Sequence, residues 1–193
     1  GVGKLTWVDP TAPAPEAEGA CLAFDTGPAN APINDLLRQR RGWTRDEGGA
    51  LALSGQARRD VVADFLRHPY FQRPPPKSLD RDSFAGLADQ LRGLSDADAA
   101  ATLVAVLAES VAAGMRWFLR PPEQVLVCGG GRHNRAIMAA LSAVLPCPVQ
   151  PVEAAGLDGD MLEAQAFGWL AVRVLRGMPT SGPATTGAPG SPI

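Results

Sequence analysis

Three consecutive glycines, Gly129, Gly130 and Gly131, stand between a short apolar run and a helical pattern. The run at 125–127 is apolar and mostly β-branched, which predicts a strand buried on both faces. The segment 135–145 carries apolar residues at helical spacing. Glycines let a ligand approach the backbone closely, and amide groups at a helix start attract anions. The pattern indicates either a nucleotide-binding turn or a tight turn without a ligand, with neither favoured.

A second polar group follows the predicted strand 20–24, where the sequence continues with Asp25, Thr26 and Gly27. A carboxylate, a hydroxyl and a flexible amide would then lie at the C-terminal end of a strand. Ligands bind at that edge in open α/β sheets. The less specific alternative is a polar turn that caps the following helix.

Two further places carry polar chemistry. Lys77 and Ser78 follow a proline run and could contact an anion, although a solvated linker end fits this pattern equally well. Glu163 lies in the first turn of a predicted helix at 161–176, where the helix dipole alone favours an acid. The spacing predicts that five apolar residues of this helix face inward: Ala164, Phe167, Leu170, Ala171 and Val174.

Composition excludes several classes of protein. The 193 residues allow one large domain or two small ones, and 46% hydrophobic content permits a real core. A net charge of −2 without a basic stripe argues against nucleic acid as a partner. No apolar run reaches the roughly 18 residues of a membrane helix. Two histidines and three separated cysteines favour buried free thiols in the cytosol over a disulfide or a metal site.

The remaining pattern predicts an α/β lobe. Strands at 5–8 and 20–24 would be joined by a hairpin-like loop, and Ser95 would precede the longest core helix, 99–119. The other predicted elements are helices at 33–40, 44–66, 82–91 and 161–176 and an extended run at 145–149. Glycines at 48, 49 and 55 weaken the second of these helices.

Five sequence blocks, in one order and over nearly the whole chain, resemble the C-terminal half of the anhydro-N-acetylmuramic acid kinases. The blocks are 25–30, Pro76-Lys77-Ser78 with Arg81 and Phe84, 128–131 with Asn134, 159–171, and 186–188. The start of the chain also resembles an internal segment of that family. Four positions depart from the family pattern: Lys4, Ala29, Leu79 and Asp80.

The resemblance implies a fold and a division of the chain. Residues 1–178 would form an α/β, ribonuclease H-like (actin-like ATPase) lobe, with a mixed sheet and flanking helices, and 179–193 a low-complexity tail. This would be the C-terminal lobe of a two-lobe kinase, so we expect the chain to be a fragment. The family's N-terminal phosphate loop and the aspartate that acts as catalytic base would lie upstream, which assigns no catalytic residue to this chain.

The resemblance also implies an activity. The whole enzyme would use ATP, Mg²⁺ and water to open the 1,6-anhydro ring of anhydro-N-acetylmuramic acid and phosphorylate O6. The product, N-acetylmuramic acid 6-phosphate, belongs to cytoplasmic recycling of peptidoglycan. The isolated lobe would be inactive. Its partners would be the sugar, the N-terminal lobe and a second copy in a homodimer.

The resemblance assigns residues to two sides of a cleft. The adenosine side would be formed by Gly129, Gly130, Gly131 and Asn134. The phosphates or Mg²⁺ would lie near Asp25, Thr26 and Gly27, with no metal site made by the protein alone. Glu163 would face the sugar, with Lys77 and Ser78 as secondary contacts.

Two other classes remain open. The chain could be a non-catalytic nucleotide-binding or regulatory remnant of a kinase, or a dimerisation lobe that needs an N-terminal partner. A Rossmann oxidoreductase fits less well, because three adjacent glycines are not Gly-x-Gly-x-x-Gly.

Overall fold

The structure is a computed structural model that describes residues 1–14, 16–80 and 82–188. Its strands are β1 (Val2–Val8), β2 (Cys21–Pro28), β3 (Val125–Val127) and β4 (Val149–Pro151). Its α-helices are α1 (Asn30–Arg41), α2 (Ala50–Ser54), α3 (Arg59–Phe65), α4 (Leu87–Gln90), α5 (Asp96–Gly114), α6 (Arg135–Val144), α7 (Leu162–Leu175) and α8 (Pro183–Thr186). Arg81 of the second sequence block and the tail end 189–193 lie outside the described residues.

The predicted hairpin between the first two strands is confirmed. β1 and β2 pair antiparallel from Val8 opposite Cys21 to Val2 opposite Pro28. The strand β2 is longer than expected, because its pairing continues as far as Val2, the first residue of β1. Asp25, Thr26 and Gly27 therefore lie inside the last part of a paired strand, and the prediction that they follow its end is wrong by a few residues.

The predicted single mixed sheet is corrected to two separate pairs of strands in the described part of the chain. β3 and β4 pair parallel, with α6 between them in the chain. Each of these two strands is three residues long and has one neighbouring strand, so β3 is half-buried and not covered on both faces. The chain is a mixed α/β structure with antiparallel and parallel pairing in different sheets.

The predicted core helix is confirmed as α5. Ser95 caps it by accepting a hydrogen bond from the Asp98 amide. The helix contacts α1, α2, α3 and α6 as well as β1 and β2. Together with the 3-10 turn that follows it, the segment Asp96–Trp117 is long and apolar enough to cross a membrane. Because 67% of its most apolar window is buried inside the structure, it has the properties of a core helix.

The predicted helix 44–66 is wrong, since the segment is divided into a 3-10 turn at Glu47–Gly49, α2 and α3. Gly48 and Gly49 have positive φ, a conformation that does not continue a right-handed helix. Gly55 ends α2 against the start of α5, where an added Cβ would lie 2.1 Å from the Ala97 carbonyl oxygen. Close packing therefore requires glycine here. The helix predicted at 82–91 is likewise reduced to α4.

The final helix α7 is not buried in the way the pattern predicts. Only Arg173 is buried, and its guanidinium contacts Glu16 and the Pro179 carbonyl. Of the five residues expected to face inward, Leu170 is half-buried and the other four are exposed: Ala164, Phe167, Ala171 and Val174. The periodicity identified an apolar face correctly, but no described element covers that face.

The segment after α7 returns to the first sheet. α8 contacts β2, and Gly187 lies against the ring of Pro76. The division of the chain at residue 178 remains a prediction, but the described residues beyond it are in contact with the lobe.

We expect Leu37→Ala to lower the free energy of unfolding by about 2–5 kcal/mol, because Leu37 is fully buried in the core and truncation leaves a cavity. The matched control is Leu53→Ala, at a leucine that is 52% exposed, with an expected change within about 0.5 kcal/mol. Denaturant unfolding of both variants measures the difference. Equal losses would show that the core is not centred where the structure has it.

Candidate functional site

Asp25 is held in place through its backbone and through one carboxylate oxygen. Its amide donates to the Lys77 carbonyl at 3.1 Å, and its own carbonyl accepts from the Tyr70 hydroxyl at 2.5 Å. The Leu79 amide donates to Asp25 Oδ2 at 2.8 Å. The second oxygen, Oδ1, receives no hydrogen bond from the residues that the structure describes. A fixed carboxylate with one unused oxygen can bind a cation or accept a proton.

A pocket of about 340 Å³ is lined by residues that bond to Asp25, although Asp25 itself does not line it. Tyr70 and Leu79 both bond to Asp25 and both line the pocket. Its remaining lining residues are largely polar or charged: His68, Pro69, Arg73, Ser78, Asp80 and Ser83. Ser78, one of the predicted contacts, is therefore on a solvent-accessible wall near Asp25.

Lys77 lies instead among aromatic rings. Its Nζ is 4.5 Å from the centroid of Tyr70, 5.6 Å from that of Phe24 and 5.7 Å from that of Trp117, and it donates to the Tyr70 carbonyl. Burial, and then the nearby positive charges of two arginines, lower the pKa of the Lys77 ammonium. Through these contacts Lys77 holds its own segment against β2. Its role as a ligand contact remains a prediction.

Thr26 and Gly27 are enclosed by the core helix. Thr26 is 2% exposed, and its hydroxyl has no hydrogen-bond partner among the described residues. A Cβ at Gly27 would lie 2.8 Å from Ser110 Oγ on α5. Neither Thr26 nor Gly27 therefore faces a cleft formed by the described residues. The prediction that they lie near the phosphates or Mg²⁺ remains a prediction.

The glycine turn is open, and it lies beside the end of the first sheet. Gly129 has φ 71°, and nothing in the described structure approaches within 4 Å of the position that its Cβ would take. The nearest groups to the equivalent positions at Gly130 and Gly131 are side-chain atoms of Asn30, with Nδ2 at 3.7 and 3.8 Å. The structure thus brings together two sequence blocks that are about a hundred residues apart, 25–30 and 128–134. Asn30 was missed as a site residue, although it belongs to the first block.

Asn134 has a structural function at this turn. Its Oδ1 accepts from the amides of Ala136 and Ile137 and so caps α6. Gly49 is packed against the same side chain, since an added Cβ would lie 2.2 Å from Asn134 Oδ1. Two amides at the start of α6 are consequently occupied, and a contact between Asn134 and adenosine remains a prediction.

Glu163 is exposed in the first turn of α7, and its carboxylate makes no hydrogen bond or ion pair with a described residue. It follows Asp160 closely in the chain, and Asp160 forms an ion pair with Arg132 in the glycine turn. Arg132 was also missed. The only signal in the sequence was a charged residue inside a glycine-rich turn.

The cysteines differ from expectation in one respect. The three cysteines are free, but Cys128 is exposed and Cys21 and Cys147 are half-buried, so the prediction of buried thiols is wrong for Cys128. Burial raises the pKa of the Cys21 and Cys147 thiols. Over residues 1–14, 16–80 and 82–188, no group of three His, Cys, Asp or Glu side chains is arranged to hold a metal ion.

Comparison with known proteins gives a consistent result. A family model described as anhydro-N-acetylmuramic acid kinase matches residues 2–192. A protein of that name from Cereibacter sphaeroides is 64% identical over 98% of this chain and 51% of its own length. The corresponding figures are 58%, 97% and 50% for Ruegeria sp., and 53%, 98% and 48% for Rhodospirillum rubrum. The chain spans about half the length of these curated relatives.

The environment of Tyr70 leads to a pH-dependence that can be measured directly. Burial, and then the negative charge of Asp25, raise the pKa of Tyr70 to about 12. This folded-state pKa exceeds the unfolded value of about 10, so the neutral Tyr70 hydroxyl contributes to the free energy of unfolding. That contribution is fully present below about pH 10 and is lost as pH rises through about 12.

Tyr70 is the only tyrosine of the chain, so its ultraviolet absorbance change on ionisation can be titrated. The difference between the wild type and Tyr70→Phe isolates this group, and the denatured chain provides the reference. A folded-state pKa close to 10 would contradict the buried hydrogen bond between Tyr70 and the Asp25 carbonyl.

Proposed function

Because the chain belongs to the anhydro-N-acetylmuramic acid kinase family, we propose that it is the C-terminal half of an ATP-dependent kinase of that specificity. The enzyme would open the 1,6-anhydro ring of anhydro-N-acetylmuramic acid and phosphorylate O6, in the cytoplasmic recycling of peptidoglycan. The observation that supports this most is the approach of Asn30 to Gly130 and Gly131. It joins an open glycine turn to the strand that carries Asp25.

On this proposal the glycine turn receives the nucleotide. Main-chain atoms of Gly129, Gly130 and Gly131 can approach a ligand closely, because among the described residues only the Asn30 side chain comes within 4 Å of the positions that their Cβ atoms would take. Asn134 stiffens the turn by capping α6 and would present its remaining amide group to adenosine. Thr26 and Gly27 hold the end of β2 against α5, which fixes the direction of the Asp25 carboxylate.

Asp25 is the residue that fits Mg²⁺ best. Magnesium binds carboxylate oxygens together with phosphate oxygens and water, and Asp25 Oδ1 is unused by the described residues. When bound, the ion neutralises charge on the transferring phosphoryl group. The same free oxygen is an alternative candidate for accepting a proton from water, in place of a base in the upstream half.

Glu163 would act on the sugar side. The exposed Glu163 carboxylate has no hydrogen-bond or ion-pair partner among the described residues, so it can accept hydrogen bonds from sugar hydroxyls or orient a water molecule near the anomeric carbon. The polar pocket beside Asp25, which includes Ser78, would form another part of the wall of the cleft, while Lys77 holds that wall in place.

The upstream half of the enzyme would cover the exposed face of α7. Phe167 is 66% exposed and Trp169 is 51% exposed, and large apolar side chains rarely remain in water without a partner. The relatives have about as much further sequence as this chain contains. In a ribonuclease H-like two-lobe kinase this lobe would be inactive alone. A homodimer or a non-catalytic, nucleotide-binding remnant are the alternatives.

The role of the Asp25 carboxylate can be tested in the complete gene product. We expect Asp25→Asn to lower kcat by about a hundredfold or more, because the amide retains the shape but not the charge that faces Mg²⁺ or the reacting water. Asp64→Asn, at an exposed surface aspartate, is the control. The measurement is steady-state phosphorylation of the anhydro sugar, with a pH–rate profile to separate metal binding from proton transfer. An unchanged kcat for a folded Asp25→Asn protein would remove Asp25 from the site.

Glu163→Gln should lower turnover by about a hundredfold with little change in ATP affinity, because only the sugar side is altered. Glu123→Gln, at an exposed glutamate outside the regular elements, is the control. Sugar phosphorylation and calorimetric titration of Mg-ATP measure the two effects. Unchanged turnover with normal folding would rule out this role for Glu163. If ATP binds wild type but the sugar is never phosphorylated, the remnant alternative is favoured.

A further inference from the structure

Arg132 is an enclosed cation in a turn whose other residues are mostly accessible. Its side chain is 3% exposed, and its guanidinium is used on all three nitrogens. Nε donates to Glu153 Oε1 at 2.8 Å, Nη1 to the Gly129 carbonyl at 3.0 Å, and Nη2 contacts Asp160 Oδ1 at 2.8 Å. The side chain therefore has a single well-defined position.

The three acceptors come from three different segments. Gly129 belongs to the glycine turn, Glu153 to the 3-10 turn Val152–Ala155 after β4, and Asp160 immediately precedes α7. The guanidinium is a rigid planar group that can bridge several acceptors at fixed angles, which a lysine ammonium on a flexible chain cannot reproduce. The contact is thus a geometric link between segments as well as a pairing of charges.

Gly159 shows how closely this link is enclosed. A Cβ at this position would lie 2.5 Å from Arg132 Nε and 2.8 Å from Glu153 Oε1, so an added side chain would force these two groups to shift. The Gly159 amide donates to the same Glu153 oxygen at 3.3 Å. The constraint at 159 is the space beside the guanidinium and not the backbone conformation, because the φ of Gly159 lies outside the left-handed region.

The contacts of Arg132 lie between the nucleotide side and the sugar side of the proposed site. On one side Arg132 holds the Gly129 carbonyl in the turn that would receive the nucleotide. On the other it holds Asp160, three residues before Glu163 at the start of α7. Among the residues that the structure describes, Arg173 is the only one in α7 that is buried, so apolar packing contributes little to the position of this helix.

We propose that Arg132 is a positioning residue that fixes the start of α7 relative to the glycine turn, and thereby couples nucleotide binding to the placement of Glu163. The assignment of the two sides rests on the proposed function. The link itself is a property of the described residues and can be tested without assuming an activity.

The first test compares Arg132→Lys with Arg38→Lys by hydrogen–deuterium exchange in the complete gene product without ligand. Arg38 forms an exposed ion pair with Asp35 and makes no contact with the turn. We expect Arg132→Lys to speed exchange on the order of tenfold at 129–134 and 158–166, because local opening is easier without the link. Exchange in both segments equal to that of Arg38→Lys would overturn the proposal.

The second test adds Mg-ATP. In wild type, nucleotide should slow exchange at both segments, whereas in Arg132→Lys it should slow exchange at 129–134 only. Slowing of both segments in Arg132→Lys would show that coupling does not depend on Arg132. If nucleotide changes no segment in wild type, the proposed nucleotide site fails, while the ligand-free comparison still decides whether the link exists.

Fast exchange over the whole chain would show that Arg132→Lys does not fold. Two other variants then test the same proposal. Gly159→Ala retains every charge but forces the guanidinium away from Glu153, and Asp160→Asn removes charge from one arm only. Both should give the same pattern at 158–166 with a smaller increase at 129–134. Wild-type exchange in both variants would again overturn the proposal.

Discussion

The burial of α5 is the constraint on which the rest of this structure depends. Helices from both halves of the chain and the β1–β2 pair all pack on it, so each reaches its position by covering the same apolar surface. The hydrophobic effect makes this burial favourable, and the close fit of Gly27 against Ser110 and of Gly55 against Ala97 fixes how the neighbours approach. The candidate site lies beside this framework, where Asn30 at the start of α1 approaches the glycine turn that precedes α6.

Around that core, polar contacts determine which groups face the site. The Asp25 carboxylate is directed by main-chain bonds to Lys77, Tyr70 and Leu79, so a segment 50 residues away decides its orientation. The glycine turn is held by Arg132 rather than by apolar packing, which leaves its outer surface open. The turn therefore combines a fixed position with an accessible main chain, which is the general requirement of a preorganised binding site.

α7 differs from every other long helix of the lobe. Its apolar residues are exposed, and charged contacts by Arg173 and by Asp160, next to its start, hold it in place. No described element covers the apolar face of α7, so this face can serve as a contact surface for a partner. This is consistent with relatives that are twice as long as the described lobe.

The sequence by itself determined the local elements and the family. Ser95 and the apolar spacing after it predicted α5, because capping and periodicity depend only on neighbouring residues. Five motif blocks indicated the kinase family, because each is a run of residue types that can be recognised locally. It did not show that 44–66 would divide, that α7 would lie exposed, that Asn30 would approach the glycine turn, or that Arg132 would bridge three segments. Those features depend on contacts between residues far apart in the chain, such as Arg132 with Glu153 and Asp160, and only the tertiary structure decides them.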